Sequence, residues 1–376
     1  MNRNFAVLPS HARGVHAASA QPGFVEGDVY LVSPALADGP GSMRGIMHID
    51  PTTWAGTVLP YAPTPGLIGR SAAYDASRDR LVFIDAGIQL MAADGTATLL
   101  PVDFIGPRHP TPTGDGRIYF LDNTNTFRYV DAAGVSHTLL DQGGVNPYVY
   151  ANISVMTWDR GANALFFTDS ASHPFDLTLT RVTLTPDGTR VQGVDAVVID
   201  TSSSGETGVG INPGPGGSLF VAIDTNSNAA EPRLQLVDPT TLAVTTYATP
   251  GYLFVAGEIA GAYLPLLSTA VVLDSANDVL RLFTQGQAGE GTTLPTVGVS
   301  NEGGSGEIAQ LVVISRACSG GADLAPPFGT LDFSDILAYL TAFGAMDPAA
   351  DLAPPSGVFD FSDVLAFLTA FGAGCP

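Results

Sequence analysis

The 376-residue sequence predicts a mainly β chain, a six-bladed β-propeller (six to within one blade) followed by a small all-α module of two loop-helix repeats. Three observations carry this. Strand and turn signals recur loosely from residue 24 to about 295, and a tight tandem repeat fills the C-terminal end. The 36 acidic residues are 29 Asp and only 7 Glu, beside 43 Gly and 28 Pro. Asp, Gly and Pro favour turns and caps, whereas Glu favours helix interiors. A hydrophobic content of 45% is enough for a large core, so the acidity is that of a folded protein and not of a disordered polymer.

In chain order, residues 1–23 form an N-terminal arm. Met1 to Ala20 lacks the 7–15 residue apolar stretch of a secretory signal, so either the start is misplaced or a leader has been left out. The propeller is expected over 24–317. Its first repeating element is a turn and then a strand ending in Asp: Tyr74-Asp75 through Leu81 to Asp85, Gly114-Asp115 through Ile118 to Asp122, Trp158-Asp159 through Leu165 to Asp169, and Leu219 to Asp224. The second element is a hairpin. Asp50-Pro-Thr-Thr-Trp-Ala-Gly-Thr57 and Asp238-Pro-Thr-Thr-Leu-Ala-Val-Thr245 share six of eight residues, with Asp94, Asp131 and Asp187 at the equivalent turns between them. These turns are 44, 37, 56 and 51 residues apart, the period of four-stranded propeller blades. Blades therefore begin near 24, 67, 106, 149, 205 and 252.

Residues 296–306 read as loop, and the apolar run Ile308 to Ile314 as a late strand returning to close the ring onto the first blade. Phe5 to Leu8 competes for that role. Tyr252 to Leu273 is the most apolar stretch, but Glu258 and Pro265 interrupt it, so it is buried strand and not a membrane span.

Charge and composition exclude several functions. All 15 basic residues are Arg, and the net charge is -21. A lysine-free chain has no P-loop lysine and no Schiff-base lysine. Nucleic acid and anionic membrane surfaces need clustered positive charge, so the composition argues against nucleic acid and disfavours such a membrane surface. The two cysteines, Cys318 and Cys375, bracket the terminal 318–376 segment and are expected to form one disulfide in an oxidising compartment. Closing such a loop stabilises by roughly 4 kcal/mol on the chain-entropy model.

Residues 322–345 and 350–373 are identical at 19 of 24 positions. Each repeat places an Asp-rich loop before an amphipathic helix. Phe333, Ile336, Leu337, Leu340 and Phe343 make one apolar face, and Phe361, Val364, Leu365, Leu368 and Phe371 make its copy. Asp332 with Asp335, and Asp360 with Asp363, have N-cap and third-position spacing. After Arg316 no basic side chain remains, yet seven Asp follow. Hard oxygen donors crowded together select calcium over zinc or copper; the alternative is that these carboxylates only cap helices and turns.

The tail resembles a dockerin, and its ending Gly374-Cys375-Pro376 resembles the GC-type variant found at the C-termini of exported bacterial proteins. The resemblance covers residues 318–376. It implies calcium held by Asp323, Asp332 and Asp335 in the first repeat and by Asp351, Asp360 and Asp363 in the second. Ala325, Pro327, Ala353 and Pro355 stand where the family has Asn or Asp, which implies weaker binding. Phe333-Ser334 and Phe361-Ser362 depart from the pair that cellulosomal dockerins use to choose cohesins. The implied partner is a cohesin-like or other surface receptor, and the implied location is extracellular or at the cell surface.

The propeller is similar to NHL-type and related six-bladed propellers. No HExxH, GxSxG or zinc-ligand spacing occurs. The strand-end carboxylates Asp85, Asp122, Asp169, Asp224 and Asp274 are the candidate site, since equivalent positions of radial blades converge. They could hold a metal for a hydrolase or lactonase acting on sugar-like substrates, or each could simply accept N–H bonds within its own blade. The sequence therefore reads as a binding or display module, with metal-dependent hydrolysis as the alternative.

Overall fold

The computed structural model describes residues 24–25, 27–36, 43–61, 68–76, 78–102, 106–113, 116–145, 153–169, 177–200, 209–223, 233–250, 259–274, 279–289, 291–294, 310–314, 322–325, 331, 333–347, 350–353 and 358–373. The arm 1–23, with Phe5 to Leu8, lies outside them, as do Cys318, Cys375 and the loop 296–306.

The Asp-initiated turns fold the chain into consecutive antiparallel hairpins, and these group into six sheets. The first holds β1 (Val29–Leu36), β2 (Met43–Ile49) and β3 (Gly56–Val58). The second holds β4 (Ile68–Asp75), β5 (Arg80–Asp85), β6 (Ile88–Met91) and β7 (Ala97–Leu99). The third holds β8 (Arg108–Pro112), β9 (Ile118–Leu121), β10 (Phe127–Val130) and β11 (Ser136–Thr138). The short β12 (Leu140–Asp141) joins the outer edge of the fourth, which holds β13 (Ile153–Asp159), β14 (Ala164–Asp169), β15 (Leu177–Leu184) and β16 (Arg190–Asp200). The fifth holds β17 (Val209–Pro213), β18 (Leu219–Ile223), β19 (Arg233–Val237) and β20 (Val244–Ala248). The sixth holds β21 (Ile259–Leu264), β22 (Thr269–Asp274), β23 (Val279–Thr284) and β24 (Thr292–Thr293).

The ring closes through β25 (Gln310–Val313), which pairs antiparallel with β1 as the first strand of the first sheet. The late strand thus takes the innermost place in blade 1, so the chain from residue 24 enters this blade at its second strand. The mainly β, six-bladed propeller is the observed fold.

Inside each blade the pleat sends alternate side chains toward the blade before and the blade after. Six apolar cores result, one between each pair of neighbours. Val29 and Leu31 meet Leu264 and Leu273 between blades 6 and 1, and Tyr30 and Val32 meet Leu81 and Phe83 between blades 1 and 2. The other four lie between blades 2 and 3, 3 and 4, 4 and 5, and 5 and 6.

The shared Asp-Pro-Thr-Thr sequence makes the same turn twice. Asp50 Oδ1 accepts the Thr52 N–H at 2.7 Å, and Asp238 Oδ1 accepts those of Thr240 and Thr241 at 2.8 and 2.7 Å. The fifth residues, Trp54 and Leu242, adopt left-handed φ of 58° and 59° and donate to the Asp carbonyl. These hairpin carboxylates are held below the ordinary range. Backbone N–H bonds from Thr52, Thr96 and Thr241 act first on Asp50, Asp94 and Asp238. The His137 hydrogen bond acts first on Asp131. Hydrogen bonds from the Thr185 and Thr189 hydroxyls hold Asp187 at about 2.

A group whose folded pKa is depressed adds stability above its unfolded value and loses it as pH falls through the folded value. The melting temperature should therefore be level above about pH 5 and fall between about pH 4 and pH 2. A midpoint that stayed constant down to pH 2 would refute this.

Blades are also latched by polar contacts. The Tyr119 hydroxyl of blade 3 donates to the Gly188 carbonyl of blade 4 at 2.6 Å. Gly188 has a φ of +66°, and a Cβ there would lie 2.0 Å from an Arg117 nitrogen and 2.7 Å from the Tyr119 hydroxyl. Gly188→Ala is expected to cost about 1–3 kcal/mol, from left-handed strain plus displacement of the latch. Thermal unfolding reads it directly, with an unchanged midpoint as the contrary result.

The tail contains two helices, α1 (Phe333–Gly344) and α2 (Phe361–Ala373). Tyr339 and Phe367 stack at 4.0 Å in a small core that Ala322 and Ala350 complete. The expected apolar face of each helix is only partly covered. Ile336, Phe343, Val364 and Phe371 pack against this core, but Phe333, Leu337, Leu340, Phe361, Leu365 and Leu368 are all more than half exposed. The stripe is wider than two helices of this length can cover between them, so one edge of each faces outward.

Candidate functional site

The cavity at the propeller axis is bounded by the innermost strand of every blade: β25, β4, β8, β13, β17 and β21. Its volume is about 390 Å³, within the usual range of small-ligand sites.

Side-chain direction defines a collar around it. Tyr74 packs on the core shared with blade 1, Trp158 on that shared with blade 3 and Tyr263 on that shared with blade 5. Each therefore faces the preceding blade. Register places Pro112 opposite Ile118, Pro213 opposite Leu219 and Val313 opposite Val29. Residues directly opposite share a face, and these partners also belong to cores shared with the preceding blade. Aromatic rings on blades 2, 4 and 6 thus alternate with Pro or Val on blades 3, 5 and 1. Trp158 is stacked on Tyr119 with centroids 6.0 Å apart, and Tyr263 lies edge-on to Tyr247 at 6.2 Å.

Much of the polar lining is bound within the protein. The Thr111 hydroxyl donates to the Met156 carbonyl at 3.2 Å, and Asn212 Nδ2 to the Gly261 carbonyl at 2.6 Å. Gln310 Oε1 accepts the Ala72 N–H at 2.7 Å, and the Ser218 hydroxyl donates to the Pro215 carbonyl at 2.7 Å. The Tyr74 hydroxyl donates to Asp79 Oδ1 at 2.7 Å.

Asp159 is the one carboxylate among the described lining residues, which include no Arg or His. Its Oδ1 accepts the Ala162 N–H at 2.6 Å. Burial pushes its pKa up, backbone hydrogen bonds pull the other way, and the charge of Asp238 adds to the rise.

The strand-end carboxylate positions that are described sit elsewhere. Asp85, Asp169 and Asp274 close second strands, opposite Ile68, Ile153 and Ile259 at the far ends of the innermost strands from the collar. Asp85 is buried and accepts a hydrogen bond from Tyr61. Asp122 is held within its own hairpin. Oδ1 accepts from Thr124 N–H at 2.8 Å and Thr126 N–H at 3.0 Å, and Oδ2 from Arg128 Nε at 3.0 Å. Burial pushes the Asp122 pKa up, but these hydrogen bonds outweigh it and hold the group below the ordinary range. The described side chains, Asp85 and Asp122, are thus one strand out from the axis and serve local structure. Asp224 and the side chains of Asp169 and Asp274 lie outside the described residues.

In the tail, Asp335 Oδ1 accepts the N–H groups of Leu324 and Ala325 at 2.7 and 2.8 Å. Asp363 Oδ1 accepts those of Leu352 and Ala353, both at 2.8 Å. Each carboxylate ties the loop that begins at Asp323 or Asp351 to the first turn of its helix. Asp363 Oδ2 also accepts the Asp360 N–H at 2.9 Å, while Asp360 Oδ1 accepts the Ser362 N–H at 2.7 Å. That pair is a reciprocal helix cap. Backbone hydrogen bonds, that of Asp360 first, hold the Asp363 pKa down. Asp332 lies outside the described residues, and among those described no three His, Cys, Asp or Glu side chains gather as a cation shell.

No protein-family model and no curated protein sequence matches the chain. Among solved structures, it is similar to an auxiliary nutrient binding protein from Bacteroides ovatus at 14% identity and TM-score 0.45, covering 62% of each chain. This chain therefore spans less than two thirds of that protein's length. It is also similar to a Bacteroides fragilis protein provisionally assigned as a 6-phosphogluconolactonase, at 11% identity and TM-score 0.46, covering 78% of this chain and 100% of that one. These likenesses concern fold and carry no chemistry. Among the described residues no helix is long and apolar enough to cross a membrane.

Proposed function

We propose that the propeller captures a small molecule in its axial cavity, and that the C-terminal repeats attach the protein, outside the cell, to a cohesin-like or other surface receptor in a calcium-dependent way. The observation that carries the first half is the collar of Tyr74, Trp158 and Tyr263, contributed at one level by alternate blades. Each ring packs one side on an inter-blade core and, being half-buried, leaves the rest of its surface to the cavity, which gives a ligand apolar contact area. Metal-assisted hydrolysis fits less well, because a catalytic metal commonly needs three protein ligands and the described lining offers one carboxylate.

A thermal-shift screen of the full chain against small metabolites tests this. A ligand that binds only the folded state raises the melting temperature. Hits should disappear in the Trp158→Ala, Tyr263→Ala double variant. Hits that survive unchanged in that variant, or a blank screen, would count against the cavity.

The tail reading is supported by its duplicated, acidic, base-free sequence and by the buried Asp323, Asp335 and Asp363. Asp363 spends both oxygens on backbone N–H groups, so calcium would have to share it with them. Helix melting of the full chain should shift upward in calcium relative to EDTA; coincident curves would leave the carboxylates as caps and clamps alone.

A further inference from the structure

We propose that the axial cavity binds an alkylated ammonium ion, with Tyr74, Trp158 and Tyr263 meeting its methyl groups and Asp159 supplying the opposing charge. This rests on the reading of the cavity as a ligand site and specifies its chemistry. Electron-rich rings attract cations through their quadrupoles, most strongly Trp, and several rings around one point are the usual solution for quaternary ammonium groups.

A polyhydroxylated ligand would compete with the protein for several of the polar side chains that line the cavity. Thr111, Asn212, Gln310 and Ser218 are each engaged with backbone groups. A methylated cation asks for no hydrogen bonds, so a lining of that kind suits it. An anion would meet Asp159 without any basic side chain in the described lining.

Two further carboxylates lie near the collar and Asp159, with Arg80 beside the first and Arg181 on the turn of the second. The Tyr74 hydroxyl is directed at Asp79, and Asp238 is close enough to act on Asp159. Arg78 is paired with Asp75 at 2.6 Å and donates to the Gly116 carbonyl as well. Arg160 follows Asp159 but is exposed and outside the lining. A monovalent cation of modest size therefore fits the charge, the apolar collar and the volume together.

The test is a titration of the full chain with choline, glucose and gluconate, read by tryptophan fluorescence and calorimetry. Choline should bind saturably, and glucose and gluconate should not. Asp159→Asn keeps an acceptor for the Ala162 N–H and should weaken choline at least about tenfold without lowering the melting temperature. Trp158→Phe should weaken it less than Trp158→Ala.

Glucose or gluconate binding in preference to choline would overturn the ammonium assignment and leave the cavity as a ligand site. Choline affinity unchanged in Asp159→Asn would overturn it too. Failure of all three probes also removes the assignment, whereas the broader binding reading falls if the thermal-shift screen is blank or its hits survive in the Trp158→Ala, Tyr263→Ala double variant.

Discussion

Asp335→Ala is expected to unfold the first C-terminal repeat. The substitution strips two N–H donors, those of Leu324 and Ala325, of the buried carboxylate oxygen they share. Each donor left unsatisfied costs about 1–3 kcal/mol, so about 2–6 kcal/mol is lost from a module with a small core. Asp335→Asn retains one carbonyl oxygen for the same two donors and should cost less. Asp363→Ala should behave alike in the second repeat, with the added loss of the bond to the Asp360 N–H.

Hydrogen exchange on the full chain gives the readout residue by residue. Leu324 and Ala325 should lose protection in the Asp335 variant while the amides of β9 and β18 keep theirs. The same experiment separates the two roles of the carboxylate. If it is only a clamp, the loss is equal in calcium and in EDTA; if it is also a ligand, calcium protects the wild type and not the variant.

How much of this is legible in the sequence depends on which force fixes each feature. Turn chemistry is local, so Asp50, Asp94, Asp131, Asp187 and Asp238 mark their hairpins from sequence alone, and the matching turns at Trp54 and Leu242 follow. The closing role of the run around Leu311 is legible because a ring of hairpins leaves one inner position to fill. Direction relative to the axis is not local. The strand-end Asp residues recur conspicuously, but recurrence says nothing about whether a residue is on the innermost strand or the next one out. Asp85 and Asp122 are on the latter side.

The collar is hidden from the sequence for the converse reason. Tyr74, Trp158 and Tyr263 look like ordinary core aromatics, and only the register of β4, β13 and β21 shows that they share a level. The pairs Tyr74-Asp75 and Trp158-Asp159 were the available signal, since an aromatic followed by a carboxylate ends two of these strands; blade 6, ending Tyr263-Leu264, lacks it. In the tail, helix periodicity identifies an apolar stripe without revealing how much of it a partner helix covers, so the exposed edge of Phe333, Leu337 and Leu340 is not legible in the sequence.

The largest effect on the propeller is expected from Leu311→Asp. Leu311 is fully buried between blades 6 and 1, opposite Leu31 and in one core with Val29 and Leu273. A carboxylate there has no paired charge designed for it, and with the lost apolar contacts this should cost about 4 kcal/mol or more. The damage does not stay in one strand. β25 is held only by β1 within its sheet, through four residue pairs, with added bonds from Gly27 N–H to the Ile314 carbonyl and from Ile314 N–H to the Asp28 carbonyl. Releasing it opens the ring, exposes the edge of β1 and removes Gln310, Val312 and Val313 from the cavity wall. Gln310→Ala is the milder control: it removes the acceptor of the Ala72 N–H between blades 1 and 2 and should cost about 1–3 kcal/mol while leaving the ladder intact. Chemical denaturation of the two variants should therefore differ in kind. Gln310→Ala shifts the midpoint with the same slope, and Leu311→Asp changes the slope, since an opened ring exposes surface before global unfolding. A Leu311→Asp protein with wild-type midpoint and slope would mean that blade 1 is complete without its C-terminal strand.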